Sequence, residues 1–381
     1  MHAELPAPDC DEIAHSERLA ALIRAEISSA GGALDFARFM ELALYAPGLG
    51  YYSAGATKFG RAGDFVTAPE LGFVFARCFA RAVATRLRES AGNDIVELGP
   101  GSGALAAEML LELERLDALP DRYRMLERSA DLRARQHDTL AQRCPHLLAR
   151  VDWLDAPAAQ AWRGVLVANE VIDALPVRLF ALREAGISAR AVALDAAGDF
   201  CWREVDADAA LMDALVPHTD ALARLPRPYD SEVCTLLAPW LAEVTRTLER
   251  GSALFVDYGY AGDEYYAAAR RTGTLRCHYR HRAHDDPLIL VGLQDITAWV
   301  DFEALASAGK RAGFSVEAHD TQAQFLIAHG LDEVFGEAYA NAQDEAARYT
   351  LAQEVKRLTL PGEMGERFRV MALRCGAILS A

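Results

Sequence analysis

Apolar residues recur at helical spacing over 16–29, where Leu19, Leu22, Ile23 and Ile27 share one face. Residues 1–15 carry no such pattern and read as a disordered lead. Asp35 is placed to cap a second helix, whose apolar face includes Phe36, Phe39, Met40 and Ala43 and which stops before Pro47. A turn follows at 48–52, then a loop over 58–70 dense in glycine and polar groups, then a strongly apolar helix over 72–87. Beyond residue 90, short apolar runs alternate with helical patterns, and the spacing predicts strands at 94–98, 122–127, 149–153, 164–169 and 252–257. That alternation is the signature of a parallel sheet covered on both faces. The stretch 187–205 alternates around Gly198-Asp199 and reads as a hairpin leaving the main sheet. Toward the C-terminus come a helix at 302–312, a strand at 315–319, a helical excursion at 331–359 and a last strand at 369–374.

Composition narrows the class. The 381 residues suffice for a large core, in one elaborated domain or two. A formal net charge of −16 argues against a sequence-independent hold on nucleic acid, which depends on excess Lys and Arg. Seven scattered cysteines without a C-x-x-C pair fit reduced thiols better than disulfides or structural zinc. No apolar run is long enough to span a bilayer, and the acidic start resembles neither a signal nor a transit peptide. The sequence-based expectation is therefore a cytoplasmic protein, with a homodimer as an allowed assembly.

The chemistry concentrates where the first sheet strand ends, at Asp94-Ile-Val-Glu-Leu-Gly-Pro-Gly-Ser-Gly-Ala104. Gly99, Gly101 and Gly103 let the backbone turn tightly and approach a ligand closely, which points to an adenosine-containing cofactor. Gly99-x-Gly101-x-x-Ala104 also satisfies the dinucleotide fingerprint, so an NAD(P)-dependent oxidoreductase is one alternative. Three features favour S-adenosyl-L-methionine. Glu97 stands where methyltransferases carry an acidic residue near the cofactor's charged methionine end, and a diphosphate would be repelled there. Gly103 completes a Glu-x-Gly-x-Gly-x-Gly spacing. The strand also follows some ninety residues of helix and loop, whereas dinucleotide folds commonly begin with it. Glycines that merely permit a strand–helix turn are the plain alternative.

The next strand ends offer further carboxylates. Glu127 can accept both ribose hydroxyls, or else pair with its neighbour Arg128 on the surface. Asp152, beside Trp153, is a candidate partner for the adenine amino group. The fourth strand ends at Asn169 and opens into Glu170-Val-Ile-Asp-Ala-Leu-Pro-Val177, without the proline-aromatic pattern that stacks a planar base. Glu170 and Asp173 instead suit a cationic acceptor, because a carboxylate pair grips a guanidinium and orients one nitrogen. Asp173 as the cap of a short turn before Pro176 is the alternative.

Taken together, the chain resembles the MidA family of class I methyltransferases, which includes a mitochondrial assembly factor of respiratory complex I. The resemblance rests on Tyr45-Ala-Pro-Gly-Leu-Gly-Tyr-Tyr52, Gly63-Asp-Phe-Val-Thr-Ala-Pro-Glu70, Val96-Glu-Leu-Gly-Pro-Gly-Ser-Gly103 and Ala168-Asn-Glu-Val-Ile-Asp-Ala-Leu-Pro-Val177. Phe255-Val-Asp-Tyr-Gly-Tyr260, Gly292-Leu-Gln-Asp-Ile-Thr-Ala-Trp-Val-Asp-Phe302 and Met364-Gly-Glu-Arg-Phe368 extend it over nearly the whole chain. It implies an α/β fold: a Rossmann-like seven-stranded class I sheet over 91–381. An N-terminal helical cap and lid loop would occupy 16–90, with hairpin and helical substrate insertions at about 178–250 and 331–360. It further implies a cofactor site built from Gly63, Asp64, Glu97, Gly99, Gly101, Gly103, Glu127, Asp152 and Asn169, with Asp64 reaching the cofactor's ammonium group. Glu170 and Asp173 would carry the chemistry, and Glu70 would help shape the pocket. The implied acceptor is an arginine of a protein substrate, on the large hydrophilic subunit beside the quinone site of complex I. A non-catalytic assembly factor that keeps the fold is the remaining alternative.

His278, His281 and His284 recur at every third position. Arg280 and Arg282 interleave with them and would repel a cation, so a polar loop is expected there rather than a metal site, with His284 as a candidate aid to proton removal on the substrate side.

Overall fold

The computed structural model describes residues 5–53 and 68–376. The expectations for Gly63 and Asp64, and for the side chain of Glu70, lie outside the described residues. The chain forms two compact units that it enters more than once. One comprises Val66–Ile172, Ala238–Tyr260 and Phe302–Ala381, the other Met1–Phe65, Asp173–Leu237 and Ala261–Asp301. These boundaries differ from the expected division at residue 90. The helix Val74–Ser90 belongs to the sheet unit, because Val74, Phe75, Phe79 and Val83 join the same core as Ile95, Val165 and Leu254.

The sheet unit is built on β1 (Asp94–Leu98), β2 (Arg122–Leu126), β3 (Val151–Leu154), β4 (Trp162–Asn169), β5 (Leu248–Tyr260), β6 (Ser315–Thr321) and β7 (Phe368–Cys375). Their order from edge to edge is β6-β7-β5-β4-β1-β2-β3. The strands from β1 to β5 pair in parallel, whereas β7 runs antiparallel to both β5 and β6. Residues 95–98 and 164–168 are buried throughout, as expected of parallel strands covered on both faces. Helices Ala104–Arg115 and Ala130–Arg143 return the chain from β1 to β2 and from β2 to β3. The C-terminal excursion resolves into helices Leu331–Ala340 and Glu345–Thr359, whose Leu331, Val334, Leu351 and Leu358 enter the same core.

The second unit begins with the helix Cys10–Ser29, which starts earlier than the expected lead would allow. The reason is a capping box: Asp9 accepts from the Glu12 amide at 2.9 Å, and Glu12 accepts from the Asp9 amide at 2.8 Å. Asp35 caps Phe36–Tyr45 by accepting from Ala37 N at 2.8 Å. An antiparallel sheet runs in the order Ala33–Asp35, Gly186–Leu194, Arg178–Arg183, Tyr229–Val233, with Phe200–Asp206 pairing to Gly186–Leu194. Its core gathers Leu19, Ile23, Phe36, Phe39 and Val192.

Candidate cofactor and methyl-transfer site

Strand order decides where a ligand can sit. The chain moves outward one way from β1 through β2 to β3, and the other way from β4 to β5, so the order reverses between β1 and β4. At such a switch point the connections leave in opposite directions and open a crevice at the strands' carboxyl ends. The hydrogen-bond ladder continues just past those ends and fixes the backbone there. Gly99 N donates to Leu126 O at 3.3 Å, Glu127 N to Leu154 O at 3.2 Å, and Glu170 N to Val256 O at 2.8 Å.

The glycine loop closes over this edge. Gly99, Gly101 and Gly103 all have positive φ, at 57°, 54° and 82°. A Cβ on Gly99 would lie 3.0 Å from Val171 Cγ2, and one on Gly103 would lie 3.1 Å from Gln136 Cα. The left-handed backbone favours glycine at both positions, and a side chain at either would press on a close neighbour. Gly103 then serves as the N-cap of Ala104–Arg115.

Glu97 is 2% exposed, and its Oε2 accepts from the Tyr123 hydroxyl at 2.8 Å. Burial pushes its carboxyl up to about 7, with the Tyr123 hydrogen bond pulling the other way. Glu127 is not the surface ion-pair member that Arg128 suggested. Its Oε1 accepts from Ser129 N at 2.8 Å and its Oε2 from Gln136 Nε2 at 3.3 Å, and burial raises its pKa. Asn169 donates to Glu170 Oε1 at 3.1 Å, while its own Oδ1 is buried without a donor among the described residues. Glu170 follows with a positive φ of 53°, a left-handed backbone uncommon for a non-glycine residue.

Asp152 pairs in register with Arg124, two residues short of the carboxyl edge, and its half-exposed side chain lies 3.8 Å from Arg122. Asp173 and His284 belong to the other unit. There Asp173 is buried, and its carbonyl accepts from Ala298 N at 2.9 Å. His284 ends a hairpin in which Arg276–Tyr279 pairs with Arg282–His284, and the intervening Arg280 and His281 take the turn's positive φ. The regular histidine spacing is therefore interrupted by that turn.

Gln136 is the main residue that the sequence reading missed. It is fully buried, donates to Gly101 O at 2.9 Å and to Glu127, and accepts from Trp153 Nε1 at 2.9 Å. It therefore ties the glycine loop to the ends of β2 and β3. A signal was present: Leu132, Gln136 and Leu140 share one helical face, with a lone polar residue in the middle.

The donor and acceptor set suits S-adenosyl-L-methionine. The edge presents carboxylates and a buried amide oxygen lacking a donor, which match a ligand's hydroxyl and ammonium donors. A diphosphate would need the reverse.

Comparison with known proteins agrees. The sequence profile of an S-adenosyl-L-methionine-dependent methyltransferase family matches residues 75–319. A COG1565 superfamily protein from Burkholderia thailandensis, solved with S-adenosyl-homocysteine bound, is 44% identical and superposes with a TM-score of 0.91, covering 98% of this chain and 97% of that one. Protein arginine methyltransferase NDUFAF7 of Mus musculus is 29% identical, spanning 90% of this chain and 81% of its own length. The Drosophila melanogaster homologue is also 29% identical, over 94% and 85%. Both are named as mitochondrial proteins, which overturns the expectation of a cytoplasmic location. The oxidoreductase alternative falls as well. With its glycine loop, strand order and acidic edge accounted for, this chain belongs to the MidA-like family of S-adenosyl-L-methionine-dependent methyltransferases.

Proposed function

We propose that the methyl acceptor is a guanidinium nitrogen of an arginine in a protein substrate. The observation that carries this reading is Glu170, a carboxylate held at the carboxyl end of β4 beside the glycine loop. The curated relatives named as protein arginine methyltransferases support it.

When bound, the cofactor supplies an electrophilic methyl group. In this reading Glu97, Glu127 and Asn169 hold it, and Gly99, Gly101 and Gly103 admit it close to the backbone. Asp64 and Asp152 complete the proposed cofactor set. A guanidinium keeps its proton tightly, with a pKa above about 12, so its nitrogen becomes a competent nucleophile only as that proton leaves. Glu170 orients the guanidinium through charge-assisted hydrogen bonds and receives the proton as the new carbon–nitrogen bond forms. Asp173, three residues further along the chain, is the second carboxylate of this reading.

The likeness to complex I assembly factors directs the search to the large hydrophilic quinone-site subunit of that complex. Mass spectrometry of that subunit from cells with and without the gene tests the proposal. A methylarginine present only with the gene is expected, and identical spectra would overturn this choice of acceptor. Transfer of label from tritiated S-adenosyl-L-methionine into proteins of a lysate lacking the gene separates an enzyme from a non-catalytic assembly factor.

A further inference from the structure

The stretch Phe255-Val-Asp-Tyr-Gly-Tyr260 closes β5, and its aspartate makes an arrangement the cofactor contacts do not explain. Asp257 is 1% exposed. Its Oδ2 accepts from Ile172 N at 3.0 Å, and its Oδ1 accepts from Tyr258 N at 2.9 Å. One residue earlier, Val256 O accepts from Glu170 N at 2.8 Å. The segment 170–172 is therefore fastened to the end of β5 at both its ends. Between those bonds Glu170 holds its left-handed backbone, and Val171 lies over the position where Gly99 would carry a Cβ. A non-glycine residue keeps such a backbone only where its surroundings over-determine it.

We propose that Asp257 is a positioning residue for methyl transfer: it fixes segment 170–172 so that Glu170 and the glycine loop keep one mutual geometry. The inference rests on the reading of Glu170 given above. The chemistry demands a carboxylate of this length. Two amides need two acceptor oxygens, whereas asparagine offers one oxygen and turns an NH2 group toward the other N–H.

The test compares Asp257→Asn, Glu170→Gln and the double variant. Its readouts are incorporation of tritiated methyl into lysate proteins and calorimetric binding of S-adenosyl-homocysteine. Asp257→Asn should lower kcat by about tenfold or more, because a small misplacement of a reacting group is costly. Its S-adenosyl-homocysteine affinity should stay within about threefold of wild type, since the acceptor side is what moves. The double variant should be no slower than Glu170→Gln alone, because Asp257 acts through Glu170. A wild-type rate in Asp257→Asn with a loss in Glu170→Gln would overturn this inference alone. Multiplying losses in the double variant would do the same. A wild-type rate in Glu170→Gln would instead sink the Glu170 reading, and this inference with it. Hydrogen exchange of the wild-type protein needs no variant: the Ile172 amide should be as protected as that of Val256, and loop-like exchange overturns the anchor.

Discussion

The Tyr123 hydroxyl donates to Glu97 Oε2 across 2.8 Å, with both side chains shut away from solvent. Burial raises the Glu97 carboxyl to about 7, so it is largely neutral at pH 6 and largely ionised at pH 8. If Glu97 faces the cofactor's charged methionine end as proposed, the ionised form is preferred, and binding at the lower pH must first expel a proton. S-adenosyl-homocysteine affinity is therefore expected to rise between pH 6 and 8, by up to about tenfold per pH unit below the midpoint. Calorimetry should show the rise in wild type and a flat profile in Glu97→Gln. Tyr123→Phe removes a hydrogen bond that favours the charged form, so it should move the rise to higher pH.

The same elevation acts on stability. Glu97 and Glu354 are both raised to about 7 by burial, above their ordinary 4.5. The folded state thus binds more protons than the unfolded state between those values. The stabilising contribution is full below about pH 4.5 and is lost as pH rises through about 7. Without cofactor, Glu97→Gln should gain stability relative to wild type on going from pH 5 to 7.5. The gain is at most about 1.4 kcal/mol for each pH unit separating the folded and unfolded midpoints. Urea denaturation at the two pH values measures it, and a constant difference would show that Glu97 does not titrate in this window.

Gly101 sits at a φ of 54°, and Gln136 donates to its carbonyl at 2.9 Å. A β-branched side chain in that backbone region is strained by about 1–2 kcal/mol. Gly101→Val should abolish S-adenosyl-homocysteine binding while leaving the far-ultraviolet circular dichroism unchanged. Wild-type affinity in that variant would remove the glycine loop from the cofactor site.

The glycine loop and the cofactor it implies were legible because the signals are local. Glu97 and the three glycines lie within seven residues, and the ends of β1 and β4 were marked by apolar runs closing on polar residues. What escaped was long-range. Tyr123 reads as an ordinary strand aromatic until it is paired with Glu97, and Asp257 reads as a strand-end acid until Ile172 reaches it from 85 residues away. The division into units escaped for the same reason. Residues 173–237 and 261–301 share a core with the N-terminal helices, a pairing that no local pattern encodes. The early start of the first helix, by contrast, was readable from Asp9 and Glu12 in capping-box spacing.

Glu354 provides the last prediction. The helix Val74–Ser90 has no side-chain cap of its own, since its N-cap position is Phe73. Glu354, from the helix Glu345–Thr359, supplies one across 280 residues of sequence, its Oε1 accepting from Val74 N at 2.7 Å. The fit leaves no room at Gly72, where a Cβ would collide with the Glu354 carboxylate. Glu354→Ala should destabilise the fold by about 1–3 kcal/mol, because a buried helix-end amide loses its acceptor. Gly72→Ala should destabilise the wild-type background as well, by displacing that carboxylate. In the Glu354→Ala background the space is free, so Gly72→Ala should cost little more. Urea denaturation of the two single variants and the double closes the cycle. Losses that simply add would mean that the two positions do not share this contact.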